Sequence, residues 1–151
     1  MRSTPRGFPR REASPDPKDH AMTAVLSAYQ SLVLSLLRAF SGLLLLQHGT
    51  LKMLDFPAPR PPAVAFGNLM WFSGVIELVC GVLITLGLLT RPAAFLASGF
   101  TAVAYFMVHA PRGFYPILNN GELSALYSFV FFYLVFAGAG PISLDAKLRG
   151  K

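Results

Sequence analysis

The sequence predicts an all-α integral membrane protein, a bundle of four transmembrane helices with both termini in the cytoplasm. Three observations lead there. Of 151 residues, 54% are hydrophobic and only 13% are charged, about half the usual share of roughly 25%. Eight of the 20 charged residues fall in the first twenty positions, which leaves twelve for the other 131. The remaining chain divides into apolar runs long enough to cross a bilayer. A soluble domain this small exposes much of its surface and needs charges to cover it. That shortage argues against a soluble globular enzyme, and the apolar content argues against a disordered chain.

Each element follows in order. Residues 1–21 place Pro5, Pro9, Pro15 and Pro17 among Arg, Ser and Asp, too little apolar surface to fold. This stretch reads as a disordered basic tail, with Met22 an alternative start of translation. A spanning helix needs about 20 mainly apolar residues. Residues 24–46 meet that requirement with one ionisable side chain, Arg38, and residues 69–89 with one, Glu77. The connection 47–68 carries Pro57, Pro59, Pro61 and Pro62 and reads as a structured or re-entrant outer loop. Residues 92–109 follow a turn at Thr90 and Arg91, which forces an antiparallel hairpin. Pro92 suits the first turn of that helix, where its missing N–H costs nothing. The fourth span, about 120–138, is short and aromatic (Phe129, Phe131, Phe132, Phe136) and stops at Gly138-Ala139-Gly140-Pro141. None of these runs alternates with period two, so strands are a poor reading. The membrane domain is thus expected over 22–146, with a basic tail at 147–151.

Orientation follows from the basic residues. With four spans, both ends and the Thr90–Arg91 turn share one side and carry nine Lys and Arg, against three (Lys52, Arg60, Arg112) opposite. The positive-inside rule then places both termini in the cytoplasm, in a bacterial-type inner (plasma) membrane. If translation starts at Met22, the difference shrinks to four against three. The net charge of +6 sits at the chain ends with no nucleic-acid recognition fold, so no nucleic-acid partner is expected. The single cysteine, Cys80, can form no intrachain disulfide, and buried cysteines usually serve as small apolar filler.

Two charges remain inside the spans. Arg38 lies past the midpoint of the first and Glu77 before the midpoint of the second, which in an antiparallel pair puts them at similar depth. Mid-membrane charges are costly unless paired, about 2.5–3.5 kcal/mol each on insertion scales. Ser31, Ser35, Ser41 and Gly42 around Arg38, and Ser73, Gly74, Cys80 and Gly81 around Glu77, favour close helix contact. An Arg38–Glu77 pair between the first two helices is therefore expected. It would serve either registry alone or a proton or quinone-headgroup site. A second polar group gathers at the outer ends: Gln47, His48, Lys52, Tyr105, His109, Asn119, Asn120 and Glu122. His48 and Lys52, like Tyr105 and His109, are four apart and share a helix face. Histidine there could exchange protons near neutral pH. A metal held by His48, His109 and Glu122 is conceivable on residue type alone, and headgroup contact or capping is the plainer use.

These pieces, in this order over roughly residues 33–149, resemble the DoxX family of small four-helix membrane proteins. The resemblance rests on Arg38 followed by His48-Gly49-Thr50-Leu51-Lys52, on Gly74 to Gly81 around Glu77, and on Leu83 to Arg91. Asn120-Gly121-Glu122-Leu123 and Gly138 to Asp145 complete it. It implies a redox system handling sulfur compounds, thiols or quinones beside a soluble redox partner. This chain departs from it in the Arg- and Pro-rich tail and in lacking a redox cysteine pair. The leading expectation is the membrane subunit of an oxidoreductase, with Arg38, Glu77, His48 and Lys52 as catalytic candidates. His109, Tyr105, Glu122 and Asn120 are the candidates for substrate binding. Quinone is the ligand that fits, no bound metal or haem is expected, and the neighbours considered are lipid and a second copy of the chain. A non-enzymatic anchor or assembly scaffold is the alternative, and a dimeric small-solute transporter the second.

Overall fold

The computed structural model describes residues 17–59 and 64–150, and among them there is no β-strand. The helices are α1 (Pro17–Met53), α2 (Leu69–Leu86), α3 (Thr90–Ala104), α4 (Pro116–Asn119), α5 (Glu122–Ala137) and α6 (Leu144–Leu148). α3 runs on through a π-helical turn, Tyr105–His109, and a 3-10 turn, Ala110–Arg112. Three apolar stretches, Met22–Met53, Leu69–Leu86 and Thr90–Arg112, have 32, 18 and 23 residues, the length a bilayer crossing requires. α5 is apolar but has 16 residues, about 24 Å of helix. It does not reach back to Asn120, which ends α4 in the left-handed region (φ 58°).

Residues 1–16, most of the segment read as a disordered tail, lie outside the described residues, and α1 begins at Pro17. Residue contacts divide the chain after Gln30. In the described part before it, Ser27 Oγ donates to Ala24 O at 2.9 Å within α1. Ser31–Lys151 form the second, compact unit.

Within that unit the fold is set by how closely α1 and α2 approach. A Cβ on Gly42 would stand 2.6 Å from Thr85 N, one on Gly81 2.6 Å from Leu46 Cα, and one on Gly74 2.8 Å from Met53 Sδ. A Cβ on Gly49 would likewise meet the Leu78 main chain. At Gly42, Gly49 and Gly81 the atoms met are main chain, so glycine lets the two backbones touch there, as small residues do at membrane helix interfaces, whereas at Gly74 the neighbour is the flexible Met53 side chain. The facing pairs also fix an antiparallel register in which Met53 lies at Gly74 and Gly42 at Thr85.

That register overturns the expected Arg38–Glu77 pair. On it, Arg38 lies opposite the end of α2, roughly twelve residues or about 18 Å along the axis from the level of Glu77. The midpoints of the apolar runs mislead about depth because α1 continues to Met53, so those midpoints do not face each other. Arg38 is 2% exposed and donates only to main-chain carbonyls. Nε reaches Ala139 O (2.8 Å), Nη1 reaches Ile84 O and Thr85 O (both 2.6 Å), and Nη2 reaches Ile142 O (2.5 Å). The guanidinium thus donates to carbonyls of the last turn of α2, to Ile84 O beside the bond from Gly87 N and to Thr85 O, and binds the 139–142 segment to them.

The turn after α2 depends on the same neighbourhood. Gly87 sits in the left-handed region (φ 69°), and Leu88 N donates to Leu83 O at 2.9 Å, the main-chain closure that a C-terminal glycine permits. A Cβ there would also stand 2.5 Å from Ser143 Cβ and 2.9 Å from Arg38 Cζ. Asp145 caps the next helix from a distance. Its Oδ1 accepts from Leu89 N (2.9 Å) and its Oδ2 from Thr90 N (3.0 Å), where α3 has no cap of its own. α3 then packs chiefly on α5 and next on α2. Buried Ala93, Ala94 and Ala97 allow close contact. Two hydroxyls cross between α3 and α5: Ser98 Oγ to Ser128 O and Ser124 Oγ to Thr101 O, both 2.8 Å. The core is Leu45, Cys80, Ile84, Tyr127, Phe131 and Leu134 with those alanines. The outward faces are apolar, as at Phe95, Phe106, Phe129 and Phe136, the pattern of a surface facing lipid.

Two outcomes are expected. Arg38→Leu removes the guanidinium donor from the carbonyls of Thr85, Ala139 and Ile142 and leaves Ile84 O with its bond from Gly87 N alone, and should destabilise the protein by several kcal/mol, on the order of 3. Arg38→Lys should recover only part of this, because a point donor cannot reach two segments at once. Thermal unfolding of the detergent-purified protein measures both. For Asp145, burial raises the carboxyl, but the Thr90 and Leu89 N–H groups and the charge of Arg149 outweigh it and hold its pKa below the ordinary value. A depressed carboxylate contributes stability above the unfolded value of about 3.9, and that stability is lost as pH falls through the folded value. The melting-temperature gap between wild type and Asp145→Asn should therefore be full at neutral pH and close on acidification below about pH 4.

Candidate functional site

The last turns of α1, the first half of α2, the far end of α3 with its π turn, and the start of α5 enclose a cleft of about 710 Å³. Its walls are mainly apolar, with Leu69, Met70, Phe72, Ile76, Val103 and Met107 among them. Its polar residues are His48, Lys52, Asn68, Ser73, Glu77, Thr101, His109, Asn120, Ser124 and Tyr127.

The centre of this polar patch is an ion pair. Lys52 Nζ lies 2.7 Å from both Glu77 oxygens and donates to Ser73 Oγ at 2.9 Å. The Lys52 and Glu77 side chains are 13% and 9% exposed. Glu77 Oε1 receives a well-aligned hydrogen bond, whereas Oε2, though equally near the ammonium, has no hydrogen-bond partner. Because α1 extends to Met53, Lys52 is part of a membrane-length helix and not of a loop. The glycine register brings it to within a turn of Glu77. Glu77 is thus paired with a cation of α1, but that cation is Lys52 and not the expected Arg38.

His48, one turn before Lys52, meets the Tyr127 ring edge-on at 6.4 Å. Tyr127 is itself buried and stacked on Phe131 at 5.3 Å. On the opposite wall the helix widens into the π turn at Tyr105–His109. Such turns recur at functional sites because they re-aim one side chain against the regular helix. The His109 ring stacks on Tyr105 (centroids 6.4 Å, 21°), and its Nδ1 lies 3.2 Å from Asn119 O. A carbonyl only accepts, so Nδ1 carries the hydrogen and Nε2 is left as the basic nitrogen. Asn119 is fully buried and pins this corner. Its Nδ2 donates to Gly113 O (2.8 Å), and its Oδ1 accepts from Gly121 N (2.8 Å).

Of the eight candidate residues, the cleft gathers Glu77, His48, Lys52, His109 and Asn120. Tyr105 stands behind His109 as its stacking partner. Glu122 is exposed in the first turn of α5, outside the lining, where its charge complements the helix dipole. Arg38 is at the other end of α2 and belongs to the scaffold. No three His, Cys, Asp or Glu side chains among the described residues are placed to share a metal, so His48, His109 and Glu122 do not form such a set. Sequence reasoning missed Tyr127, because the same span carries hydroxyls at Ser124, Ser128 and Tyr133 and nothing in the sequence singles out one of them.

Helices of membrane length, apolar outward faces and a polar cleft between them define a small helical membrane protein. The DoxX family profile matches residues 33–110, and the chain belongs to the DoxX family. An uncharacterized protein of Haemophilus influenzae is 44% identical over 131 residues, covering 83% of this chain and 98% of its own length. A second uncharacterized protein of that organism is 34% identical over 74 residues, 48% of each chain. An uncharacterized membrane protein of Mycobacterium tuberculosis, Rv3486, is 36% identical over 100 residues, 58% of each. No solved structure matches the chain significantly.

Removing either member of the Lys52–Glu77 pair strands a buried charge. Lys52→Met and Glu77→Gln should each cost about 3–5 kcal/mol, and the double variant clearly less than the two together. A double-mutant cycle on thermal unfolding in detergent reads this coupling. Strict additivity would contradict the pair.

Proposed function

We propose that the chain is the membrane subunit of a redox system and that its cleft binds the headgroup of a lipid-soluble quinone. A soluble partner then delivers electrons drawn from a thiol or other sulfur compound. The observation that carries this reading is the composition of the cleft: apolar walls around one compact polar patch, the arrangement expected of a small-molecule site. Quinone carbonyls accept hydrogen bonds, and Lys52 Nζ and the Tyr127 hydroxyl are donors among the lining residues. The isoprenoid tail is a match for Leu69, Met70, Phe72 and Ile76. Reduction of a quinone to its quinol takes two electrons and two protons. His109 Nε2 and the Glu77 carboxylate can hold and pass protons at the patch. No side chain of this protein stores an electron pair reversibly, since Cys80 is the single cysteine and is buried in the core, so the electrons belong to the partner.

The membrane arrangement that suits this role has α5 as a fourth span, with local bilayer thinning accommodating its length, and both termini in the cytoplasm of a bacterial inner membrane. The cleft then lies in the outer half. The domain reading that goes with it is a membrane domain over 22–146 between basic ends.

Purified protein in nanodiscs, titrated with a short-tailed quinone, should show saturable quenching of Trp71, the sole tryptophan and a neighbour of the lining residues Met70 and Phe72. Tyr127→Phe and Lys52→Met should weaken binding about tenfold, the equivalent of ~1.4 kcal/mol. Non-saturable quenching that is the same in all three proteins would sink the quinone reading. Topology has its own check. A periplasm-active reporter should be silent when fused after Lys151 and active when inserted at Arg60.

A further inference from the structure

At the opposite end of the helices from the cleft is a second cavity, about 330 Å³, which the quinone reading does not use. Its lining is the 137–141 segment with Arg91, Ser143, Asp145, Ala146 and Arg149. We infer that this cavity binds a phosphate group, held between the guanidinium groups of Arg91 and Arg149.

Arg91 is the second residue of α3, where the helix dipole disfavours a cation. It makes no hydrogen bond or ion pair with the rest of the described chain. It nevertheless lies across the cavity wall, since a Cβ on Gly138 would be 3.6 Å from both its Nε and an Nη. The Arg149 side chain, at the end of α6, also makes no hydrogen bond. Asp145 is the carboxylate of this lining; both its oxygens accept from Leu89 N and Thr90 N, and its charge also acts on Arg149 without a hydrogen bond.

A second observation points the same way. The wall of the cavity is the segment that Arg38 holds from behind, through Ala139 O and Ile142 O. Arg38 is buried and has neutral carbonyls as its hydrogen-bond partners, and Asp145 is the carboxylate whose charge reaches it. Three guanidinium groups thus converge on one short segment, with a single carboxylate among them. An oxyanion in the cavity balances this charge. Paired guanidinium forks match phosphate oxygens in geometry as well as in sign. Basic pockets at the ends of membrane helices take anionic lipid headgroups in this way, and free phosphate offers the same chemistry.

The test is thermal unfolding of the full chain in detergent with phosphatidylglycerol, phosphatidylcholine or inorganic phosphate added, alongside native mass spectrometry of bound lipid. Phosphatidylglycerol should raise the melting temperature and remain bound where phosphatidylcholine does not. Arg91→Gln and Arg149→Gln should each weaken that binding at least tenfold. Arg112→Gln, at the far end of the α3 segment, should leave it unchanged. Stabilisation by inorganic phosphate alone, lost in the same two variants, supports the site with a free phosphate as its occupant. Should those variants fail to fold, the wild-type comparison still decides. Equal responses to the two lipids and none to phosphate overturn the proposal, as does binding that survives both substitutions.

Discussion

The close contact of α1 with α2 governs where every buried charge in this protein can go. With glycine at 42, 49 and 81 the two backbones meet in a single register, and each ionisable group then finds its partner by position. Lys52 falls beside Glu77 and Ser73, and Arg38 falls beside the carbonyls that end α2. Shifting the helices by one turn would separate both sets and leave charges unsatisfied in a medium that cannot solvate them. The polar contacts in turn resist such slippage. Steric fit and electrostatics therefore specify the same alignment, a consistency between levels expected of a uniquely folded chain.

The two ends of this helix pair are used differently. At the α2 C-terminus a cation is surrounded by main-chain carbonyls and stitches segments together. At the α2 N-terminal half an ion pair opens onto a cleft, with one carboxylate oxygen lacking a hydrogen bond. The first arrangement is saturated and rigid, whereas the second keeps hydrogen-bonding capacity in reserve beside Tyr127, His48 and His109. That difference separates scaffold from candidate chemistry more clearly than burial does, since Arg38 and Glu77 are both buried.

Much of the architecture was legible in the chain itself. Charge scarcity and run length identified the solvent and the three long spans, because hydropathy over about 20 residues is a strong constraint in a bilayer. The helical spacing of His48 with Lys52, and their grouping with His109 and Asn120, also survived in the cleft. Depth did not, because α1 continues past its most apolar stretch through Gln47, His48 and Lys52, polar residues that a protein-lined cleft tolerates. The exclusion of Glu122 and the setting of His109 depend on the π turn and on Asn119, local backbone events with no periodic signature. The boundary at Asn120 depends on a left-handed residue that composition alone does not mark.

The bonds made by Arg38 and Asp145 also carry an order of assembly. Arg38 waits for acceptors 101 and 104 positions downstream, and the turn between α2 and α3 waits for a carboxylate more than fifty positions further on. A ribosome releases the chain from the N-terminus, so the first hairpin enters the membrane with half of its buried guanidinium unmatched and its α3 start uncapped. It becomes complete only when the segment from Ala139 to Asp145 emerges. The C-terminal segment acts as a latch that closes on helices already inserted, and a chain that ends early leaves a bundle that has crossed the membrane but cannot lock.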